Sequence, residues 1–165
     1  MEVNVARPLD GLKVLDLSWF VSGPFCTMTL CDLGAEVVKL ERPPHGDTSR
    51  TNFPTIHGLS HNFISLNRGK KSIVLDLASD KGKAVFFKLV KHFDVVVENF
   101  RPGTMQRLGL DYQVLKQHNP RLIYAVCSGF GQTGPYASWP ALDIVAQAMG
   151  GIMSITGEPG RPPAR

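Results

Sequence analysis

The residues best placed to do chemistry lie in the turn after the first apolar run of the sequence. Ser22-Gly23-Pro24 joins this run, residues 12–17, to a segment of helical spacing that begins near Phe25. We expect Ser22 to cap the N-terminus of that helix and Pro24 to occupy its first position. The carboxyl end of a parallel strand and the N-terminus of the next helix together form a site for an anionic ligand. The turn therefore predicts an anionic cofactor.

Glu41 ends the second apolar run, where a dinucleotide-binding domain carries its ribose-binding acid. The three-glycine fingerprint of such domains is missing, because the turn has only Gly23, and the sequence has no Walker motif. NAD binding thus remains a weak alternative. Lys70-Lys71 is either a solvated basic turn or a contact to phosphate, and Arg42 and other basic residues near strand ends favour the second.

The remaining reactive side chains are better explained without chemistry. His45, His57 and His61 lie in a long loop at spacings that fit no metal site, so we interpret them as solvated. Cys127 follows the last strand and is interpreted as a packed small side chain rather than a nucleophile. Asp143 opens a helix, whose dipole stabilises an acid there, but nothing marks it as catalytic.

The elements that position these residues alternate between strand and helix. Gly34 ends the first helix, whose apolar face we assign to Phe25, Met28, Leu30 and Leu33. Such alternation predicts an α/β fold, a Rossmann-like parallel sheet with helices on both faces. Residues 44–61 form a long irregular stretch expected to cover a site or meet a partner subunit. The predicted strands are 12–17, 36–41, 72–77, 94–98 and 121–126.

The composition fits one α/β region extending over residues 1–165. Hydrophobic residues make up 43% of the chain and charged residues 19%, as in ordinary globular domains, and no apolar run reaches the length of a membrane span. The net charge of +4 indicates either a phosphate-bearing partner or an acidic part of the protein elsewhere. Three cysteines without C-x-x-C spacing argue against disulfides and zinc. We expect a cytoplasmic protein without a metal, with an organelle matrix as the alternative.

A series of short motifs gives the chain a specific resemblance. They occur in a fixed order along nearly the whole length: Pro8-Leu9-Asp10-Gly11, Val14-Leu15-Asp16, Gly23-Pro24, Leu33-Gly34-Ala35-Glu36-Val37-Val38-Lys39, Glu41-Arg42-Pro43, Gly46-Asp47-x-x-Arg50, Asn67-Arg68-Gly69-Lys70-Lys71-Ser72, Val97-Glu98-Asn99-Phe100-Arg101-Pro102-Gly103, Gly129-Phe130-Gly131-Gln132-Thr133-Gly134-Pro135 and Ser154-Ile155-Thr156-Gly157. In this order they resemble the family III CoA-transferases, the CaiB/BaiF type.

The resemblance implies the CoA-binding part of the family's large domain, in a protein whose two subunits interlock as a homodimer. Its substrates would be an acyl-CoA and a carboxylic acid, with no nucleic-acid or membrane partner. The family's nucleophile is an aspartate that attacks the thioester, and by position it would fall beyond Arg165. The chain alone is therefore expected to be inactive. Carried over by position, the CoA-contacting residues are Arg42, Leu75, Asn99, Phe100 and Arg107.

Departures from the family pattern narrow the prediction. Racemases of the superfamily carry a histidine where this chain has Leu142, which argues against racemisation. Some oxalate-using members have histidine and glutamine where this chain has Trp19 and Val21, so we expect a larger or more apolar acyl group. Three alternatives stay open: a non-catalytic CoA-binding or interaction module, a racemase or dehydratase-type relative, and a nicotinamide-dependent oxidoreductase.

Overall fold

Five parallel strands form the sheet at the centre of the fold, in the order β5-β2-β1-β6-β7. The computed structural model describes residues 6–164. A short antiparallel hairpin, β3-β4, lies outside the sheet. The predicted Rossmann-like parallel sheet is confirmed, and each predicted strand appears within three residues of its expected bounds. In chain order the strands are β1 (Lys13–Asp16), β2 (Glu36–Glu41), β3 (Thr55–Ile56), β4 (Leu59–Ser60), β5 (Lys71–Val74), β6 (Val95–Glu98) and β7 (Ile123–Val126).

The helices are α1 (Ser22–Asp32), α2 (His61–Asn67), α3 (Asp80–Val90), α4 (Thr104–Leu108), α5 (Tyr112–His118) and α6 (Asp143–Met149). Helix α1 packs on one face of the sheet, and α3, α4 and α5 pack on the other. Successive strand residues point to opposite faces, so Leu15 and Val96 pack in one core cluster while Val14 and Val95 pack in the other. The first cluster includes Phe86 of α3.

Polar caps and left-handed residues set several helix ends, among them the predicted end of α1 at Gly34. The Ser79 side chain accepts a hydrogen bond from the Gly82 amide at the start of α3, and Asp111 caps α5 in the same way. Gly34 follows α1 with a φ of 115°, which a residue with a Cβ rarely adopts. The apolar face assigned to α1 is partly wrong. Met28 is buried and Leu30 packs against the core as predicted, but Phe25 and Leu33 are exposed, and α1 turns Gly23, Pro24 and Thr27 inward.

The predicted long loop between β2 and β5 contains short elements. Asp47 caps a 3₁₀ helix over Thr48–Thr51, the β3-β4 hairpin follows, and Ser60 caps α2. Its exposed apolar side chains include Phe53 and Ile56, so this segment buries little apolar surface of its own within the part of the chain described.

The chain divides into two compact units after Cys127. The first holds the sheet. The second begins at Ser128 and contains α6 and a 3₁₀ helix over Ile152–Ile155, and Phe130, Tyr136 and Trp139 form an aromatic cluster within it. The extent of the predicted region, residues 1–165, stays a prediction. None of the helices described between residues 6 and 164 has the length and hydropathy needed to cross a bilayer.

Candidate ligand-binding edge of the sheet

The strand order reverses at β1, because β2 and β5 lie on one side of it while β6 and β7 lie on the other. In an open α/β sheet the loops diverge at this point and leave a crevice at the carboxyl ends of the strands. The residues that follow β1, β2 and β6 therefore meet at one edge. Four of the five predicted CoA-contacting residues directly follow strands that end here: Arg42, Leu75, Asn99 and Phe100.

The turn between β1 and α1 differs from the prediction in one respect. Ser22 is the first residue of α1, and Val21 occupies the N-cap position with no side-chain hydrogen bond. The Ser22 hydroxyl cannot cap the helix because it faces Asn99, whose Nδ2 donates to it at 3.3 Å. A Cβ on Gly23 would overlap the side chain of Ser18, so the glycine of the Ser-Gly-Pro motif allows the backbone of α1 to lie close to Ser18.

Asn99 binds the backbone of this turn on both sides of Trp19. Its Oδ1 accepts from the Trp19 amide at 2.8 Å, and its Nδ2 donates to the Trp19 carbonyl at 2.7 Å. With Ser22 as the second acceptor, both Nδ2 protons are used, and only one lone pair of Oδ1 is left. Asn99 therefore fixes the turn and retains one acceptor position for a ligand.

The indole of Trp19 joins two of the predicted residues. The Arg42 guanidinium lies over the ring, 4.4 Å from its centroid, and the Phe100 ring meets it edge-on at 5.6 Å. Arg42 is exposed and Trp19 and Phe100 are half-buried, so charge and apolar surface are presented side by side. From the sequence, Trp19 stood out only as a departure from a family pattern. Its position directly after the first strand could have indicated a larger role.

Leu75 and Arg107 take different positions. The Leu75 amide donates to the Glu41 carbonyl at 2.9 Å, and its side chain packs partly against the core at the end of β2. Arg107 lies on α4, is exposed, and donates to Thr104 Oγ1 at 3.0 Å. The structure thus gathers Arg42, Asn99 and Phe100 around Trp19 and leaves Arg107 outside that contact group.

Beneath the turn lies a buried carboxylate, Asp16, which the sequence places in a family motif without indicating a chemical role for it. Asp16, at the end of β1, accepts from Lys70 Nζ at 2.9 Å and from Thr27 Oγ1 at 2.6 Å through Oδ2, and from the Ser18 amide at 2.9 Å through Oδ1. Burial acts to raise the pKa of Asp16, but the charges of Lys39 and Lys70 and these hydrogen bonds outweigh it and lower the pKa. Asp16 is therefore held as a carboxylate.

Lys70 and Lys71, predicted either to be solvated or to contact phosphate, lie in different environments: Lys70 is buried and Lys71 is exposed. The side chain of Lys70 is 1% exposed and also donates to Pro24 O, Thr27 Oγ1 and Asn67 Oδ1. Lys71 is 71% exposed and pairs with Glu36 at the surface. Burial lowers the pKa of Lys70, although the Asp16 carboxylate opposes this effect. Lys70 is thus committed to internal contacts.

Glu41 has no acceptor available for a ribose. Its Oε1 accepts from Arg50 Nη2 and Ser72 Oγ, both at 2.6 Å, and its Oε2 accepts from Arg50 Nε at 2.6 Å and the Asp47 amide at 3.1 Å. Burial acts to raise the pKa of Glu41, but these hydrogen bonds and the Arg50 charge lower it to about 2. The nicotinamide alternative therefore loses the one residue that favoured it.

The remaining candidates contribute nothing to this edge. His45, His57 and His61 are exposed, as predicted. Cys127 is exposed rather than packed, so that interpretation is wrong: its position beyond the last residue of β7 leaves it outside the core. In the second unit, Asp143 is exposed at the start of α6 and accepts from Gln147 on the next turn.

Comparison with known proteins places the chain in a family. The profile described as CoA-transferase family III matches residues 9–165. Among curated proteins, the acetyl-CoA:oxalate CoA-transferase of Acetobacter aceti is 53% identical over 96% of this chain and 41% of its own length. The succinyl-CoA:mesaconate CoA-transferase of Haloarcula hispanica is 46% identical over 95% of this chain and 42% of its own length.

Solved structures agree with the sequence relatives. A CAIB/BAIF family protein from Brucella suis superposes with a TM-score of 0.90 at 46% identity, covering 98% of this chain and 44% of that protein. A hypothetical protein from Mycobacterium tuberculosis superposes with a TM-score of 0.89 at 41% identity, over 98% of this chain and 44% of that protein.

The structure defines a Rossmann-like α/β domain in which an arginine and two aromatic rings gather where the strand order reverses, the place at which open α/β sheets bind their ligands. Within that class, the chain belongs to CoA-transferase family III, because the family profile extends over nearly all of it. The chain spans about 41% of the length of the curated relatives it matches.

Proposed function

We propose that this chain supplies the CoA-binding edge of a CoA-transferase, and that the complete gene product moves CoA between an acyl-CoA and a carboxylic acid. One observation carries the proposal. Arg42, Asn99 and Phe100, which follow two different strands, converge on Trp19 at the carboxyl edge of the sheet in a member of this family. Packing of the hydrophobic core alone does not require an exposed arginine stacked on an indole.

Each part of CoA has a matching group at this edge. The guanidinium of Arg42 can donate two parallel hydrogen bonds to a phosphate, and Arg107 would provide a second cation on α4. The Phe100 ring and the Leu75 side chain offer apolar surface to the adenine or the pantetheine arm. The free lone pair of Asn99 Oδ1 can accept from an amide or hydroxyl of the cofactor.

The proposed chemistry is nucleophilic catalysis by an aspartate outside this chain. Its carboxylate oxygen attacks the thioester carbonyl, the C–S bond breaks, and CoA leaves as a thiolate while an acyl-aspartyl anhydride forms. The thiolate then attacks the aspartyl carbonyl of this anhydride, which releases the donor acid as a carboxylate and leaves an aspartyl-CoA thioester. The acceptor carboxylate attacks that thioester to form a second mixed anhydride and free thiolate. Attack of the thiolate on the acceptor's acyl carbon gives the new acyl-CoA and restores the aspartate. Asp143 is not proposed for this role, and the 165-residue chain by itself is expected to bind without turnover.

Two alternative functions predict different results in the same experiments. A non-catalytic CoA-binding module would show binding with no transfer by the complete gene product. An acyl-CoA racemase would interconvert stereoisomers of a 2-methyl acyl-CoA, for which Leu142 provides no base. The acids to be tried as acceptors are oxalate and mesaconate, after the names of the two relatives, together with larger apolar acids, because Trp19 and Val21 depart from the oxalate-using pattern.

The test measures the Kd for CoA by isothermal titration calorimetry, in the complete gene product and in two arginine variants of it. Arg42→Ala removes the proposed phosphate contact, whereas Arg121→Ala removes an equal charge before β7, at the opposite edge of the sheet. We expect Arg42→Ala to raise the Kd for CoA by about tenfold or more, since losing a charge-assisted hydrogen bond costs about 1.5–3 kcal/mol. Arg121→Ala should stay within about twofold.

Transfer is measured with the complete gene product, an acyl-CoA donor and each of the acceptor acids, separating CoA esters by chromatography. The proposal predicts formation of a new CoA ester with at least one acid. If the two arginine variants affect CoA binding equally, the assignment of CoA to this edge of the sheet is wrong. If the complete gene product binds CoA but transfers it to none of the acids, its function is that of a non-catalytic CoA-binding module.

A further inference from the structure

The segment Ser18–Phe20 lies outside helix and strand, yet side chains from elsewhere hold its backbone at consecutive positions. Asn99 binds both the amide and the carbonyl of Trp19. The Ser18 carbonyl accepts from Lys39 Nζ at 2.6 Å, and the Phe20 amide donates to Asp47 Oδ1 at 3.4 Å. Phe20 itself has a φ of 62°, which L-residues adopt only where the surroundings require it. The conformation of the segment is therefore imposed by its partners.

Lys39 and Asp47 also bind each other. Lys39 Nζ lies 3.0 Å from Asp47 Oδ2, and the two side chains are 1% and 0% exposed. Burying such a pair costs more desolvation than a well-packed apolar pair would, so its presence is not explained by stability alone. Each partner also makes a hydrogen bond to the same turn: Lys39 donates to the Ser18 carbonyl, and Asp47 accepts from the Phe20 amide. These two contacts lie on either side of Trp19.

Trp19, the residue between these two contacts, packs against two of the proposed CoA-binding residues. The Trp19 ring has the Arg42 guanidinium on its face and the Phe100 ring at its edge. A shift of the Ser18–Phe20 backbone would move the indole, and the arginine stacked on it would lose its support. Small displacements of binding groups reduce affinity strongly, so binding sites depend on the residues that hold them in place.

We propose that Lys39 and Asp47 are positioning residues of the CoA-binding edge: their buried ion pair fixes the Ser18–Phe20 segment and thereby orients Trp19 and Arg42 toward the ligand. Neither residue touches CoA in this proposal. The inference rests on the proposed function for the identity of the ligand, but the orientation of Trp19 can be measured without any ligand.

The test combines CoA affinity with a spectroscopic probe of Trp19 in the complete gene product. Lys39→Met keeps the length of the side chain and removes both the charge and the contact to the Ser18 carbonyl. Asp47→Asn retains the Oδ1 acceptor for the Phe20 amide but removes the charge and replaces Oδ2, which faces Lys39 Nζ, by an amide NH2 donor. Val90→Ala is the control for general destabilisation, because Val90 is a fully buried core residue at the end of α3.

The probe is 5-fluorotryptophan, with the Trp19 fluorine resonance assigned by its loss in Trp19→Phe. We expect Lys39→Met to shift or broaden this resonance and to raise the Kd for CoA about tenfold, which corresponds to about 1.4 kcal/mol. Asp47→Asn should cause a smaller rise of about threefold, because it loses the ion pair but keeps the Lys39 donor to the Ser18 carbonyl and the acceptor for the Phe20 amide. Val90→Ala should leave the resonance in place and the Kd within about twofold of wild type.

A double variant separates positioning from the cost of an uncompensated charge. Lys39→Met with Asp47→Asn buries no lone charge, so it should regain stability relative to Lys39→Met, while its Kd stays raised because the Ser18 carbonyl has lost its donor. A folded Lys39→Met with a wild-type Kd and an unmoved Trp19 resonance would overturn the proposal. If Lys39→Met does not fold, the same two readouts on Asp47→Asn decide.

Failure of the proposed function gives a different pattern. If the wild-type protein binds no CoA, the assignment of the ligand is wrong, and the fluorine resonance alone decides whether Lys39 and Asp47 orient Trp19. An unmoved resonance in Lys39→Met and Asp47→Asn then refutes the positioning role as well.

Discussion

Two adjacent lysines provide a sharp test of the buried charge network beneath the β1–α1 turn. Lys70 is enclosed and bound to Asp16 and three uncharged acceptors, whereas Lys71 pairs with Glu36 in solvent. Replacing each by methionine removes the same charge from neighbouring positions in the sequence. The structure predicts very different consequences, because only Lys70→Met leaves a buried carboxylate without its closest cation.

The expected loss can be worked from the contacts. Removing one partner of a buried pair costs about 3–5 kcal/mol, out of a total stability of about 5–15 kcal/mol for a domain. Asp16 keeps hydrogen bonds from Ser18 and Thr27 and the charge of Lys39, so we expect the lower end, about 3 kcal/mol. With a urea m-value of about 2 kcal/mol per molar, the unfolding midpoint should fall by about 1.5 M.

The assay is urea unfolding followed by circular dichroism, with Lys71→Met as the matched control. Lys71→Met should leave the midpoint nearly unchanged, because exposed ion pairs contribute little. The loss in Lys70→Met should shrink as the pH is lowered into the range where carboxyl groups protonate, because Asp16 then no longer carries an unpaired charge. Equal midpoints for the two variants, or a loss in Lys70→Met that is independent of pH, would refute this account of the buried pair.

Three further outcomes follow from neighbouring contacts. The pKa of Glu41 is about 2 in the folded protein and its ordinary value is 4.5, so its stabilisation is complete above about pH 4.5 and is lost as the pH falls toward 2. Arg50→Met should remove this pH-dependent stabilisation from a plot of the free energy of unfolding against pH, and an unchanged plot would contradict this expectation. Because the Arg50 side chain is 37% exposed, solvent screens the pair, and the expected loss of stability at neutral pH is only about 2 kcal/mol. Burial raises the pKa of Glu98, so Glu98→Gln should be neutral or stabilising at pH 7 in thermal melts, and a fall in melting temperature would show that the carboxylate charge is needed. Gly23→Ala should destabilise the protein and weaken CoA binding, because its Cβ would overlap Ser18, and a wild-type Kd would show that the turn can yield.

The sheet was predictable from the sequence because each strand contains a short apolar run, which is nearly continuous in β6. Val95, Val96 and Val97 can only be buried on both faces, and the helical segments between such runs require parallel crossovers. Helix ends followed from local chemistry at Ser79 and Asp111, where a side chain caps the nearest amides. These features depend on residues close in sequence.

The site was only partly predictable, because its contacts join distant residues. Asn99 and Trp19 are 80 positions apart, and nothing in the local pattern shows that Asn99 binds the backbone of the turn. Ser22 has the residue type of a helix cap, yet a tertiary partner takes its hydroxyl. Lys70 has the composition of a surface turn, but the fold encloses it against Asp16. In each case tertiary packing overrides local preference.

The measurement that tests the central claim most directly is a crystal structure of the protein with CoA bound. The account predicts a CoA phosphate within hydrogen-bond distance of the Arg42 guanidinium, with the rest of the cofactor along the carboxyl ends of β1, β2 and β6, against Phe100. CoA bound at another surface, with Arg42 still stacked on Trp19 and free of any phosphate, would contradict it.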